Sequence, residues 1–269
     1  MKPSSEIIAL VNQIPDLDEF GKVHGTPWPE NIQVYDSIFG IGAAGIRQVI
    51  GMLQAIDDGT DYKPRYVLHG LVMYTGRPEL NVQGKLLRET LAAELQEDHP
   101  VPVKGYLLRQ LQLCGNETSA PALGAFLLDK VNWEYAAEAL QAIGGDACIA
   151  QVRTAFSKSK PSKKHLLTMI QALGWFRDSP SAPGIREHLT HANESVRLTA
   201  AWALAMMNDK ASVPGLLALV DQSSGWGRLQ AIDSSLTLAD QLEVTGNHAL
   251  AKPIRDQLEA VRKAIEPAT

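Results

Sequence analysis

Two cysteines are too few, and too far apart, to staple this 269-residue chain. Cys114 and Cys148 lie in separate predicted helices without CxxC spacing, so no disulfide framework or zinc signature is present, and both read as small buried apolar groups. Basic residues are also outnumbered: 25 Lys and Arg against 30 Asp and Glu give a net charge of -5 and a pI near 5.8. Neutralising phosphates requires clustered Lys and Arg, so this balance disfavours nucleic-acid binding. No apolar run approaches the roughly 18 residues of a membrane span, and Met1 to Glu6 lacks the apolar core of a signal peptide. The expected location is the cytoplasm for the sequence as written, or export if an N-terminal signal has been removed. A compositional break marking a linker is missing too. With 45% hydrophobic and 20% charged residues, the chain can offset its ordering entropy as one elongated domain.

What the chain does have is a repeat. A short apolar phrase recurs as Leu111 to Gly115, Leu140 to Gly144, Ile170 to Gly174 and, more loosely, Leu204 to Asn208, with starts 29, 30 and 34 residues apart. Each ends in Gly or Asn, the residues that tolerate the left-handed conformation of a helix C-cap, so each reads as a helix stop. A second phrase marks helix starts: Ser119-Ala120-Pro121, Ser181-Ala182-Pro183 and Ser212-Val213-Pro214, separated by 62 and 31 residues. Serine can cap a first turn, and proline sits there without losing a hydrogen bond. Between start and stop lie two helical patterns, such as Pro183 to Leu189 and Glu194 to Met207, joined by the polar turn 190–193. Small residues at Ala136, Ala137, Ala139, Ala200, Ala201 and Ala203 mark where helices approach closely. One hairpin cannot bury its apolar face alone, so successive hairpins must stack.

The stretch Asn193 to Leu204 resembles the second helix of bacterial HEAT repeats of the phycobilisome-lyase type, a resemblance that extends over roughly residues 100–240. Upstream, Arg65 to Leu71 and Tyr106 to Leu111 are similar to stretches in bacterial HEAT-repeat proteins of unassigned role, many of them exported. The resemblance implies an all-α, armadillo-like α-solenoid of about six HEAT-like hairpins. It implies no activity, because such repeats serve scaffolds, lyases, hydroxylases and repair enzymes alike. Residues 1–62 read as an irregular N-terminal cap, with a helix near Ser5 to Ile14 followed by Pro15, Gly21, Gly25, Pro27 and Pro29; residues 63–269 read as one continuous array. The segment from His248 to Ile265 reads as the opposite cap.

Several motifs invite functional readings. Gly40 to Gly45 spells GxGxxG after an extended-looking Ile32 to Tyr35, but no acid closes the next apolar run and no further strand follows, so a helix-to-helix turn is preferred over a dinucleotide site. Glu187, His188 and His191 offer metal-type ligands without a visible third direction of approach, and a solvated cap is preferred. HEAT-type diiron hydroxylases carry repeated His-Glu dipeptides; this sequence has none, which argues against that class. Lys158, Lys160, Lys163 and Lys164 surround Pro161 and read as a solvated loop rather than a phosphate-binding face. Trp133, Trp175, Trp202 and Trp226 fall on second helices, which usually line a concave face. Counted from the closing phrases, Trp133 lies seven before, Trp175 five after and Trp202 two before, so packing is the expectation for most of them.

Arg65, His69 and Met73 share one helical face, and Arg109 occupies a comparable second helix in the next unit. Arg65, His69 and Arg109 are therefore the candidate partner-binding residues; the competing reading has the arginines paired with acids in an inter-repeat ladder. No catalytic, cofactor-binding or metal-ligating residue is assigned, and no cofactor is expected. The expected function is a protein-interaction or scaffold module that holds a protein or peptide on the concave face. The alternatives are a lyase-like enzyme holding a small prosthetic group there, and a nucleic-acid-binding protein.

Overall fold

Ser4 accepts a hydrogen bond from the Ile7 amide and opens the first of fifteen α-helices described in the computed structural model. The structure describes residues 2–16, 19, 28–55, 59–158 and 162–265. Among these no strand occurs. The helices are α1 (Ser5–Val11), α2 (Trp28–Ile41), α3 (Ala43–Ile50), α4 (Tyr62–Tyr74), α5 (Asn81–Glu94), α6 (Val101–Cys114), α7 (Ala120–Gly124) and α8 (Trp133–Ile143). There follow α9 (Asp146–Ser157), α10 (Lys163–Trp175), α11 (Ala182–Arg186), α12 (Glu194–Met206), α13 (Val213–Gln222), α14 (Gly225–Val244) and α15 (His248–Ile265). They form two compact units, Met1–Cys148 and Ile149–Thr269.

Each unit is a serial stack of helical hairpins, as an α-solenoid requires. In the first, α3/α4, α5/α6 and α7/α8 are the hairpins; α4 packs between α2 and α6, and α6 packs on α8. Helix α1 lies against α2, α3 and α4 and covers the start of the stack. In the second unit α10, α12 and α14 pack in sequence, with α11 and α13 beside their partners, and α15 covers α13 and α14. Each stack has its own aliphatic core. Leu68, Leu71, Leu107, Leu108 and Leu140 are fully buried in one, and Ile170, Leu173, Leu204, Leu216 and Leu238 in the other. Each such side chain contributes about 1.5–3 kcal/mol relative to exposure.

The stops are more varied than the repeated phrase suggests. Gly144 and Asn208 take the left-handed conformation, with φ of 72° and 53°. Gly115 ends α6 in extended backbone instead. Gly174 lies inside α10, and the left-handed residue after that helix is Arg177, with φ 52°. The true equivalence pairs Leu173 with Leu204. Their carbonyls accept from the Asp178 and Asp209 amides, so this repeat is 31 residues rather than the 34 implied by starting at Ile170. Gly174 serves a different purpose, because a Cβ there would lie 2.9 Å from the Ala203 Cα, where α10 and α12 touch. The neighbouring alanines that suggested close packing, Ala200, Ala201 and Ala203, are all fully buried.

The starts also differ in detail. Pro121, Pro183 and Pro214 do occupy the first turns of α7, α11 and α13, but the preceding serines make no side-chain cap. Ser181 Oγ donates back to Asp178, and Ser212 Oγ to the Asp209 carbonyl, each across a preceding 3-10 turn. Those aspartates anchor the stack. Arg153 of α9 forms two hydrogen bonds to Asp178, and Arg186 of α11 reaches both oxygens of Asp209 at 3.0 and 3.1 Å. An arginine-to-acid ladder therefore exists, carried by first helices rather than by Arg65 and Arg109.

Candidate partner-binding faces on the second helices

In the first unit, arginines on second helices lie over tyrosines one helix further on. The Arg65 guanidinium of α4 sits 4.9 Å from the Tyr106 ring centre of α6, and Arg109 of α6 sits 4.7 Å from the Tyr135 ring centre of α8. Arg65 is otherwise committed. Its Nε donates to Asp61 Oδ1 at 2.7 Å, Asp61 is buried, and its other oxygen accepts from the Gln54 amide at 2.9 Å. The Tyr106 hydroxyl in turn donates to the Arg65 carbonyl at 2.6 Å, and burial pushes that hydroxyl well above the ordinary tyrosine range. His69 is exposed with Nδ1 3.2 Å from Gln110 Oε1, and Arg109 is exposed over its tyrosine. Structure thus places the three sequence-predicted residues on adjacent helices α4 and α6. Arg65 is occupied by an acid of its own helix start and by Tyr106, while His69 and Arg109 remain open to solvent.

The second unit is different. A groove of about 1030 Å³ runs along α10, α12 and α14. Its lining pairs across α12 and α14 at the 31-residue repeat: Ser195 with Trp226, Leu198 with Leu229, Thr199 with Gln230, and Trp202 with Asp233. Gln171, a further 31 residues before Trp202, completes that row from α10. Trp202 and Trp226 line the groove, and Trp175 adjoins Trp202. In the common register Trp226 stands seven residues before the Trp202 position and Trp175 four after it, so all three share one helical face. Trp175 meets Trp202 edge-on with ring centres 6.0 Å apart. The expectation of packing fails for two of them: Trp175 is 60% and Trp226 73% exposed, and Leu229 beside them is 56% exposed. Trp202 and Trp133 are half-buried.

The charged side chains lining this groove are both carboxylates, Glu194 and Asp233. Among the described residues neither forms an ion pair. The Glu194 carboxylate lies close against the first turn of α14, where a Cβ on Gly227 would come within 2.5 Å of it. Strongly shifted groups lie elsewhere. Burial pushes the Cys114 thiol up to about 12 and Cys148 to about 11, which keeps both protonated and poorly nucleophilic at neutral pH. Burial also pushes Tyr35 up to about 12.

Other candidates resolve into structure. Residues Ile32 to Tyr35 are helical within α2, so the dinucleotide reading loses its strand, and Gly42, at φ 79°, makes the turn into α3. His188 meets Phe156 edge-on at 5.9 Å, and His191 Nδ1 accepts from the Asn193 amide at 3.0 Å. Burial, then the neighbouring His191, lowers the His188 pKa. Among the described residues no group of three or more His, Cys, Asp or Glu side chains is placed to hold a metal. Lys158, Lys163 and Lys164 are exposed at the ends of α9 and α10, whereas Lys160 and Pro161 lie outside the described residues. No described helix is long and apolar enough to cross a membrane.

Residues 149–236 match the HEAT repeats family. No curated protein matches the chain. Among solved structures, human deoxyhypusine hydroxylase in complex with glycerol is similar at 16% identity, over 87% of this chain and 96% of that one, with a TM-score of 0.37. The complex of CpcE and CpcF of phycocyanin lyase from Nostoc sp. PCC7120 is similar at 18% identity, over 91% of this chain and 100% of that one, with a TM-score of 0.38.

Proposed function

We propose that this chain, with HEAT repeats over residues 149–236, is a protein-interaction module that holds a protein or peptide partner on the faces of its second helices. The observation that supports the reading is the exposure of Trp226 and Leu229 in one groove of the second unit, with exposed Trp175 against the groove's Trp202. Large apolar side chains left in water on a shared face mark interaction surfaces, and tryptophan is the residue most enriched at binding hot spots. In this reading Arg109 and His69 form a secondary contact on the first unit, with Arg65 holding Tyr106 in place.

The enzyme and nucleic-acid alternatives gain no comparable support. The shifted groups lie outside the groove, and carboxylates lining it repel phosphate. The test is affinity capture from the native host by the wild-type chain, by Trp226→Asp with Leu229→Asp, and by Arg109→Glu, with helicity and melting checked for each. Specific partners lost by the groove double variant, and weakened by Arg109→Glu, are the expected result. A partner set unchanged in the groove variant would reject that face.

A further inference from the structure

Resting on the partner-binding reading, we infer that the groove of the second unit takes a peptide segment carrying a lysine or arginine beside a large apolar residue. Two complementary features select this occupant. Glu194 and Asp233 bring negative charge to the groove from α12 and α14, and no basic side chain lines it to neutralise them. The indole rings of Trp202 and Trp226 line the same groove, and tryptophan attracts a cation over its face more strongly than the other aromatic residues. A guanidinium or ammonium placed there gains a carboxylate and an aromatic face together, while its aliphatic stem covers apolar surface. Leu198 and Leu229 then offer the apolar contact for the neighbouring residue.

The dimensions agree with a peptide. A volume of about 1030 Å³ stands at the upper end of the range for small-molecule pockets, and this one is a groove along three helices rather than a closed cavity. An acidic segment is opposed by both carboxylates, and a wholly apolar one would bury them without a partner.

The experiment pans a phage-displayed library of random dodecapeptides on the full chain, on Trp226→Ala, and on the double variant Glu194→Gln with Asp233→Asn. Wild-type protein is expected to enrich peptides with Arg or Lys next to Leu, Ile, Phe or Trp and to deplete Asp and Glu at that position. A synthetic copy of the leading peptide should lose at least tenfold in affinity against each variant while circular-dichroism melting stays unchanged. Enriched peptides without a cation that still depend on Trp226 would overturn the charge selection and leave the partner-binding reading standing. Peptides that bind Trp226→Ala equally well, or the absence of any enrichment, would overturn the groove as a peptide site. Host-partner capture governed by the Arg109 face then decides the broader reading separately.

Discussion

The two units use the same second-helix position in opposite ways. In the first, Arg65 and Arg109 lie across the tyrosines of the following helices, and Arg65 is further locked to a buried aspartate, so much of that polar face is spent on holding neighbours together. In the second, Trp175, Trp226 and Leu229 stand in water, while Arg153 with Asp178 and Arg186 with Asp209 tie the first helices, as Arg47 of α3 with Glu94 of α5 does in the first unit. The difference teaches that a stack of hairpins needs its tie between neighbours but not at a fixed place. In the second unit the groove face of the second helices presents apolar side chains where the first unit places its arginines over tyrosines. Stability and recognition are thereby separable in the second unit and mixed in the first.

The sharpest way to break this contrast is Asp61→Ala. It removes a buried acceptor of the Arg65 guanidinium and the Gln54 amide, and a loss of about 3 kcal/mol is expected from urea unfolding. A change under about 0.5 kcal/mol would show that the first unit's face is not locked as described. Next in size is Gly174→Val, which drives side-chain atoms into Trp202 and the Ala203 backbone between α10 and α12. Overpacking of about 1–3 kcal/mol is expected, read as a lowered Tm.

A smaller, pH-dependent effect separates the two kinds of tie. Burial raises the Asp178 pKa, but hydrogen bonds from Arg153 and Ser181 and the Arg153 charge outweigh it, leaving the carboxyl below its ordinary value. A carboxyl depressed in the folded state stabilises the fold above its unfolded pKa, near 4, and that contribution disappears as pH falls through the lower folded value. Asp178→Asn should therefore lower stability at pH 7 and flatten the loss as pH falls below about 4. Parallel acid-unfolding curves for the variant and wild type would contradict the assignment. The smallest stability effect belongs to Trp226→Ala. Exposure of that ring predicts a change within about 0.5 kcal/mol, alongside the largest loss of binding.

Much of the architecture was legible because hairpin stacking writes itself into the chain as stops, starts and small residues. The helix pair around the turn 190–193 and the terminal helix His248–Ile265 follow the sequence closely. The groove was not legible, for a physical reason. Apolar phrases recur at every helical turn, so aligning Ile170 rather than Leu173 with Leu204 shifted α10 by three residues and set Trp175 seven positions from Trp202 instead of four. The left-handed residue at Arg177 breaks the expectation that Gly or Asn marks the stop, and it hid the correct register. Aspartates 178 and 209, spaced by 31, were the available signal. On the first unit, His69 and Arg109 were placed on neighbouring helices correctly, but stacking on Tyr106 and Tyr135 joins residues 41 and 26 positions away and has no local trace.

Hydroxyl-radical footprinting, read by mass spectrometry on the chain alone and bound to a captured partner, tests the assignment of the open groove most directly. The account predicts that Trp175, Trp226 and Leu229 oxidise readily in the free protein and are protected in the complex. Equal oxidation of all three in both states, with protection appearing on the first helices instead, would contradict it.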